Sequence, residues 1–351
     1  MRAPSIRDPG KLPGFDGDIN LFVAPEADSL SWFDTRRRVI FVNGMANSPE
    51  DHASSARALS LLQGCPVIGV YNQSDGLWPD LGQCITDKAA LSGVQAGTMM
   101  SFDAWVLTFN ILFAAASALK PGLNKVDFVA DMIAGNPATK ALFGLLAGDG
   151  GLPRLQVPIY CHSQGNLVTS NALTGVALAL GAVSIAGMEI NSFGSPCRYW
   201  PPGIQRQNNA FTFDPVSWLD LRSDMDSAKV GFVAGHAFTL YMEKDAEFVV
   251  NRFRFGSFSM TTDMDEDGLA KFMVRIGMNP PRLKRIFERL REKHFTDSDD
   301  VALAFVQRAP NRLLQSLKLA DPSVINLIIE LLGAGWTSGE EQDAIDLLKR
   351  L

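Results

Sequence analysis

The chain has 351 residues, of which 46% are hydrophobic, and a formal net charge of −6. That length can bury a sizeable core and predicts one large domain with a smaller one beside it. The mild acidic balance and the lack of basic or repetitive stretches argue against nucleic-acid binding. The four cysteines are widely spaced and form no C-x-x-C pair, so neither a zinc site nor a disulfide framework is indicated, and we expect no cofactor.

The N-terminal part of the chain predicts an arm, a strand and a helix in turn. Residues 1–30 contain prolines and glycines and no long apolar run, so we expect an irregular arm. They carry no cleavable secretion signal, which predicts a cytoplasmic protein or one exported by another route. The apolar run 39–42 predicts a buried strand. Ser48 and Pro49 begin a predicted helix that runs to Leu62, because proline suits the first helical position.

A second strand and a long insertion follow. Residues 66–72 predict another buried strand, and the alternation of strands and helices from here on indicates a parallel sheet. The segment 74–152 is too long for a simple crossover and contains a nearly uncharged run from Thr98 to Leu119. The part of this run without Asp or Lys starts at Ala104 and is shorter than the ~20 residues that a membrane span needs. We therefore predict no transmembrane span, but a buried helix or a helical lid that could cover the site and supply an apolar acyl pocket.

The segment 155–173 carries the first chemical signal. An apolar strand predicted at 157–160 stops at the sequence CHSQG, and an apolar helix is predicted at 167–180. A strand, a tight turn with a serine at its tip and a helix are typical of a G-x-S-x-G nucleophile elbow. Such a turn needs small residues two places either side of the serine; Gly165 meets that demand, and the cysteine in the first place is small enough. Ser163 is therefore the candidate nucleophile, with an ordinary strand–helix turn as the alternative.

A candidate acid follows at the end of a later strand. Residues 188–196 and 210–216 predict two more strands, and Asp214 lies at the end of the second, followed by Pro215. An aspartate in this place can orient an imidazole ring and stabilise its cation. Asp-Pro is also a common turn former, and for the dipeptide alone that interpretation stays open.

Four histidines make the search for a base short. His236 alone follows the acid, and it lies between a strand-like stretch and a helix predicted at 237–253. His162 is adjacent to the candidate nucleophile, so its side chain should point away from that serine. His52, in a first helical turn, is expected to be exposed, and His294 also lies in polar helical sequence.

Five stretches resemble, in this order, an α/β-hydrolase of the lipase or esterase type: FVNGM, YCHSQGN, EINSFGSP, FTFDPV and GHAFTLYM. The resemblance covers about residues 35–255 and implies the α/β-hydrolase fold, a mostly parallel sheet flanked by helices. The chain order of Ser163, Asp214 and His236 matches the order of serine, acid and histidine in that family.

The resemblance also implies an oxyanion hole built from backbone N–H groups. Gln164, next to the nucleophile, and Met45, after the first strand, would donate them, while Gly165 and Gly44 would shape the two turns. The chain departs from the family's pattern at two points. Cysteine replaces the first elbow glycine, and Asn43 replaces a histidine in a dipeptide, Asn-Gly, that is by itself typical of a turn.

Beyond about residue 260 the sequence becomes more charged and its patterns are helical. We predict a small all-α domain at 261–351, beside a hydrolase domain at 31–260. Predicted helices cover 280–294, 299–309, 311–319, 324–332 and 342–351, the last behind a capping box at 337–340. The stretch LLGAGWTSGEEQDAIDLL is similar to annexin-like helical modules and to modules attached to cargo or components of contractile injection systems. We expect these helices to dock a protein partner.

The segment between the two predicted domains contains a partial metal-binding pattern. Asp263, Asp265, Asp267 and Gly268 match the opening of an EF-hand loop. The twelfth position is Val274 and not a bidentate glutamate, so an acidic helix N-terminus is favoured over a calcium site. We expect no bound metal.

Together these features predict a serine hydrolase that cleaves carboxylic esters, of lipid or acyl type, through an acyl-enzyme intermediate. The alternative is a catalytically silent structural or adaptor protein that keeps the hydrolase fold, as a component or cargo of a secretion or injection system.

Overall fold

The computed structural model describes residues 10–44, 47–73, 101–148, 154–197, 199–217, 228–231, 235–253, 264–334 and 337–351. These residues form a seven-stranded sheet flanked by helices, followed by a bundle of helices. The predicted α/β class is confirmed.

The sheet is parallel except at one edge. Its strands are β1 (Ile19–Phe22), β2 (Val39–Val42), β3 (Val67–Val70), β4 (Ile159–His162), β5 (Glu189–Phe193), β6 (Gln205–Phe211) and β7 (Ala228–Val230). They lie in the order β1-β3-β2-β4-β5-β6-β7, and β1 runs antiparallel to β3 while the other pairs are parallel. β2 and β3 are apolar and buried throughout, as expected for parallel strands covered on both faces.

The edge strand β1 was not predicted. The expectation of an irregular N-terminal arm is wrong for Ile19–Phe22, which pairs with β3. Four residues that include a polar Asn20 are too short a run for a period of two to indicate a strand. Asn20 is nevertheless fully buried: its side-chain amide donates to the Lys11 carbonyl at 2.9 Å, while its Oδ1 has no partner among the described residues.

The helices flank both faces of the sheet. Those of the described residues are α1 (Pro49–Gln63), α2 (Phe102–Leu119), α3 (Lys125–Met132), α4 (Pro137–Ala147), α5 (Gly165–Leu180), α6 (Phe238–Glu243), α7 (Asp245–Asn251), α8 (Glu266–Ile276), α9 (Pro280–Lys293), α10 (Ser298–Arg308), α11 (Asn311–Ala320), α12 (Pro322–Leu332) and α13 (Gly339–Arg350). Helices α3 to α5 share one apolar core with the sheet, and α1 and α6 share another. The long helix predicted after His236 is in fact two short ones, α6 and α7.

Helix α2 is apolar yet largely exposed. Trp105 and Phe109 are its buried residues, and the Phe109 ring lies 5.7 Å from that of Phe128 on α3. Among the described residues, α2 is the one helix that is long and apolar enough to cross a membrane, and a single helix of this kind is weak evidence for a span. The lid role of 74–152 stays a prediction, because residues 74–100 and 149–152 lie outside the described part.

The C-terminal helices α8 to α13 build a separate apolar core around residues such as Phe287 and Phe305. The predicted helices in this region are confirmed to within a few residues, and α8 begins at the acidic helix N-terminus that the partial EF-hand pattern indicated. The capping box lies one residue later than predicted: Ser338 accepts from the Glu341 N–H, and the Glu341 side chain accepts from the Ser338 N–H. Val249, which precedes the predicted domain boundary at 260, belongs to this same core.

Polar contacts join the C-terminal helices to the sheet domain. Arg282 on α9 forms a two-pronged ion pair with Asp245, with nitrogen–oxygen distances of 2.8 and 2.9 Å. Both side chains are largely buried. Asn279, which caps α9, donates to the carbonyl of Leu62 at 2.8 Å at the end of α1. The division into two domains stays a prediction. The two parts contact each other through these polar side chains and through apolar residues such as Val249.

Candidate active site

The turn between β4 and α5 holds Ser163 in a strained conformation. β4 continues two residues beyond its predicted end, to His162, so Ser163 follows the strand directly. Helix α5 begins two residues after the serine, at Gly165. Its φ of 53° is the one positive φ of a non-glycine residue among those described. That region costs free energy for residues with a Cβ and is concentrated at functional sites. The Ser163 N–H donates to the Phe193 carbonyl at 3.0 Å, which ties the turn to β5.

Gly165 is required by a close backbone approach. A Cβ at this position would lie 2.5 Å from the Val42 carbonyl oxygen and 2.6 Å from that of Asn43. Both are backbone atoms, one at the last residue of β2 and one directly after it, so there is no flexible side chain that could move aside. The predicted role of Gly165 in shaping the elbow thus has a steric reason.

Cys161 takes part in a hydrogen-bond network that the sequence did not reveal. Its Sγ donates to Asn166 Oδ1 at 3.1 Å, and Asn166 Nδ2 donates to the Ser163 carbonyl at 2.9 Å. Burial raises the pKa of the Cys161 thiol, which stays protonated and able to donate. A cysteine in place of the first elbow glycine therefore supports the turn through Asn166. The asparagine directly after CHSQG was the available signal.

Asp214 and His236 form a hydrogen-bonded pair. The strand predicted over 210–216 ends at Phe211 as β6, so Asp214 lies three residues beyond the strand and not at its end; its Oδ2 is 2.8 Å from His236 Nδ1. Tyr241 donates to the same oxygen at 2.6 Å, and the Val216 N–H donates to Oδ1 at 2.9 Å. Burial alone would raise the pKa of Asp214, but the hydrogen bonds and charge of its partners outweigh it, so the pKa lies below its usual range. The carboxylate is therefore ionised at neutral pH.

Gly194 fits closely against the acid–base pair. It follows β5 with a φ of 52°, and an added Cβ would lie 2.5 Å from Asp214 Oδ2 and 2.9 Å from His236 Cε1. No side chain could occupy this place without displacing the pair. Sequence reasoning missed this residue, although a glycine directly after a strand is a signal of close backbone approach.

His162 packs on the face of the candidate base. Its ring centroid lies 4.5 Å from that of His236, at an interplanar angle of 36°. Burial lowers the pKa of His162 well below its usual value, so the ring is neutral at physiological pH. Neither ring nitrogen has a hydrogen-bond partner among the described residues.

The serine and the base are not hydrogen-bonded to each other. Ser163 is fully buried, and within the described part of the chain neither Ser163 Oγ nor His236 Nε2 has a partner. The strand β5 connects Ser163 to the acid–base pair, because the Phe193 carbonyl accepts from the Ser163 N–H and the next residue, Gly194, contacts Asp214 and His236. The structure thus brings the acid and the base together, and it connects the serine to them through β5 and the neighbouring His162 ring, without a hydrogen bond between Ser163 Oγ and His236 Nε2.

The loop after β2 lies against the serine. A Cβ on Gly44 would be 2.2 Å from Ser163 Cβ, so this glycine allows the close approach. Asn43 is buried and exchanges two hydrogen bonds of 2.8 Å with the backbone of Asn72 after β3. Asn72 in turn donates to Gln164 Oε1 at 3.1 Å. Met45, the predicted second oxyanion donor, lies outside the described residues.

The expectation for His52 is wrong. Its side chain is fully buried, within 5.4 Å of the ring centroids of Phe22, Phe41 and Tyr71. Burial lowers the pKa of His52 to about 3. The apolar face of α1 turns this first-turn residue toward the sheet, so His52 is a neutral core residue.

No group of three His, Cys, Asp or Glu side chains in the described residues is arranged to hold a metal ion. Asp265, from the partial EF-hand pattern, caps α8 by accepting from the Gly268 N–H at 2.7 Å. Comparison of the chain with protein-family models, curated proteins and solved structures finds no match in any of the three.

Proposed function

We propose that this chain is a serine hydrolase with the α/β-hydrolase fold that cleaves carboxylic esters of lipid or acyl type. One observation carries the proposal: a serine with a φ of 53° at a strand–helix turn donates its N–H to Phe193, and the next residue, Gly194, contacts an aspartate–histidine pair joined at 2.8 Å. Strained serines of this kind are the mark of a nucleophile elbow. The chain order Ser163, Asp214, His236 and the position of each after a parallel strand also support the fold.

The chemistry is a two-step acyl transfer. His236 Nε2 accepts the Ser163 Oγ proton as Oγ attacks the ester carbonyl carbon, and Asp214 stabilises the imidazolium. The oxyanion is received by the backbone N–H of Gln164 and, as predicted from the resemblance, that of Met45. The alcohol leaves with the proton from Nε2, and the acyl group stays on Oγ. A water molecule, deprotonated by the same histidine, then releases the acid.

The preference for an apolar acyl group rests on α2. This helix exposes Leu107, Ile111 and Leu119, the last with 88% of its surface accessible. It belongs to the insertion that precedes the nucleophile strand in the chain. An apolar surface in this insertion favours a lipid or acyl ester over a small polar ester.

A catalytically silent hydrolase-fold protein is the second candidate. The observation in its favour is that Ser163 is fully buried and its Oγ has no hydrogen bond to His236. Catalytic hydrogen bonds often form only when substrate binds, so hydrolysis is the first candidate. In the second, the C-terminal helices would dock a partner in a secretion or injection system.

Hydrolysis of p-nitrophenyl acetate, butyrate and octanoate by the purified full chain tests the proposal. We expect the rate to rise with acyl length and to vanish in Ser163→Ala. Ser170→Ala, a change of another buried serine on α5, is the matched control and should leave the rate unchanged. Undiminished hydrolysis by Ser163→Ala would overturn the proposal, and equal rates on the three esters would overturn the apolar acyl preference.

A further inference from the structure

Tyr241 makes a contact that the two-step mechanism does not use. Its hydroxyl donates to Asp214 Oδ2 at 2.6 Å, and the same oxygen is hydrogen-bonded to His236 Nδ1 at 2.8 Å. Oδ1 is occupied by the Val216 N–H. The tyrosine and the histidine therefore compete for the charge of one carboxylate oxygen.

The hydroxyl of Tyr241 is fixed independently of the carboxylate. The ring is fully buried and stacks on Phe211, with centroids 4.1 Å apart, and on Phe248 at 5.5 Å. The Phe211 N–H donates to the tyrosine oxygen at 3.4 Å. Because that N–H uses an oxygen lone pair, the phenol proton is the one that reaches Asp214. The rigid ring thus delivers a donor at a set place.

We propose that Tyr241 is a positioning residue for the acid–base pair, which orients the Asp214 carboxylate and limits the charge that it offers to His236. This inference rests on the proposed hydrolase function. Among the residues that the structure describes, the titratable groups that face His236 are Asp214 after β6, Tyr241 on α6 and His162 at the end of β4. Of these three, Asp214 carries the charge at neutral pH, so the balance of its hydrogen bonds sets how strongly the imidazolium is stabilised.

The direction of the effect follows from this balance. Without the phenol proton, Asp214 Oδ2 keeps more negative charge for the histidine and favours its protonated form. The base is then protonated at a higher pH, so the acidic limb of the rate profile moves upward. The turnover number falls as well, because the carboxylate loses one of the contacts that fix its orientation.

Tyr241→Phe in the full chain tests the inference, since it removes the hydroxyl and keeps the stacked ring. With p-nitrophenyl butyrate between pH 5 and 9 we expect kcat about tenfold lower and KM within about twofold. The acidic limb of kcat/KM should move up by about 0.5 pH unit. Tyr160→Phe is the matched control: Tyr160 is buried in the same aromatic cluster on β4, and its change should leave both kcat and the limb where they are.

A second variant keeps the test decisive if Tyr241→Phe does not fold. 3-Fluorotyrosine at position 241 is a stronger donor of the same shape and should move the limb in the opposite direction, to lower pH. If both variants fold and the acidic limb moves in neither, the inference is overturned and Tyr241 is a packing residue. If only the fluorotyrosine protein folds, an unmoved limb in that protein overturns it in the same way. Ser163→Ala in the same assay separates the two failures: retained hydrolysis there contradicts the proposed function, whereas its loss with an unmoved limb contradicts the role of Tyr241 only.

Discussion

In the proposed hydrolase, the acid–base half of the site (Asp214 and His236) and the nucleophile half (Ser163) are held in different ways. Asp214 is fully buried and receives three hydrogen bonds through both carboxylate oxygens. Ser163 is held through its backbone, by its N–H to Phe193 and its carbonyl to Asn166. Its Oγ has no partner in the part of the chain that the structure describes.

The difference follows from the cost of burying each group. An ionised carboxylate without partners is far too costly to bury, so its hydrogen bonds must be complete before substrate arrives. A neutral hydroxyl left unpaired costs about 1–3 kcal/mol, which a stable domain tolerates. The acid–base pair is therefore preorganised, while the serine has a fixed backbone and a hydroxyl free to turn toward a base.

The largest expected effect comes from removing the base itself. His236→Ala should lower kcat/KM by roughly 10³-fold or more and match the loss in Ser163→Ala, because members of a triad act as a unit. His294→Ala, a change on the C-terminal helices, is the control and should have no effect. A loss in the control but not in His236→Ala would mean that the acid–base half has been assigned to the wrong histidine.

Weakening the Asp214–His236 pair without changing the shape of its side chains should reduce activity nearly as much. Asp214→Asn would leave an amide that can donate to His236 Nδ1, which stabilises the wrong tautomer of the ring. We expect kcat to fall by about 10³-fold with KM little changed, in a steady-state assay with p-nitrophenyl butyrate. A fall of less than tenfold would show that the pair is structural.

Two glycines allow each half to be disturbed separately. Gly194→Ala would place a Cβ 2.5 Å from Asp214 Oδ2, and Gly44→Ala would place one 2.2 Å from Ser163 Cβ. Each should lower kcat by roughly 10–100-fold, because small displacements of catalytic groups have effects of this order. Gly187→Ala is the control, since it has a φ of 74° but meets nothing within 4 Å. If Gly194→Ala and Gly187→Ala, both at a positive φ, lose activity equally, backbone strain and not contact with the site is the cause at Gly194.

The smallest expected effect is on the pH dependence of stability, which a buried histidine of the core should influence while the site does not change. The pKa of His52 is lowered to about 3 in the folded chain, whereas in the unfolded chain it lies near 6.5. The stability that this neutral ring contributes is therefore complete above about pH 6.5 and is lost as the pH falls toward about 3.

His52→Leu should make the free energy of unfolding less dependent on pH. Below about pH 6 the slope should fall by about 1.4 kcal/mol per pH unit, measured by urea unfolding between pH 7 and 4.5. Burial also lowers the pKa of His162, and this residue keeps its own contribution to the pH dependence of stability in the variant. The rate profile of hydrolysis should not move, and an unchanged slope would contradict a buried neutral His52.

The sequence was a good guide wherever one short segment decides the structure. The helix at α1 could be predicted because Ser48 and Pro49 are a local start signal, and β2 because four apolar residues in a row suit a buried parallel strand. The strand–turn–helix around Ser163 could be predicted because the strand, a small-residue turn and the helix are adjacent in the chain. Asp214 and His236 could be paired only through a family's chain order.

What the sequence could not predict depends on contacts between distant segments. Tyr241 reaches Asp214 across 27 positions, and nothing in its own helix indicates the bond. His52 lies in a polar first turn and is buried because Phe22 on β1, Phe41 on β2 and Tyr71, directly after β3, surround its ring. β1 is a strand because β3 offers it a free edge.

Reaction with a fluorophosphonate probe, followed by mass spectrometry of the labelled peptides, tests the central claim most directly. The account predicts one modified residue, Ser163, in the full chain, and no labelling of Ser163→Ala. Labelling should slow by about 10³-fold in His236→Ala and should be unchanged in His294→Ala. An unlabelled full chain, or labelling that persists in Ser163→Ala, would contradict an activated serine at this elbow.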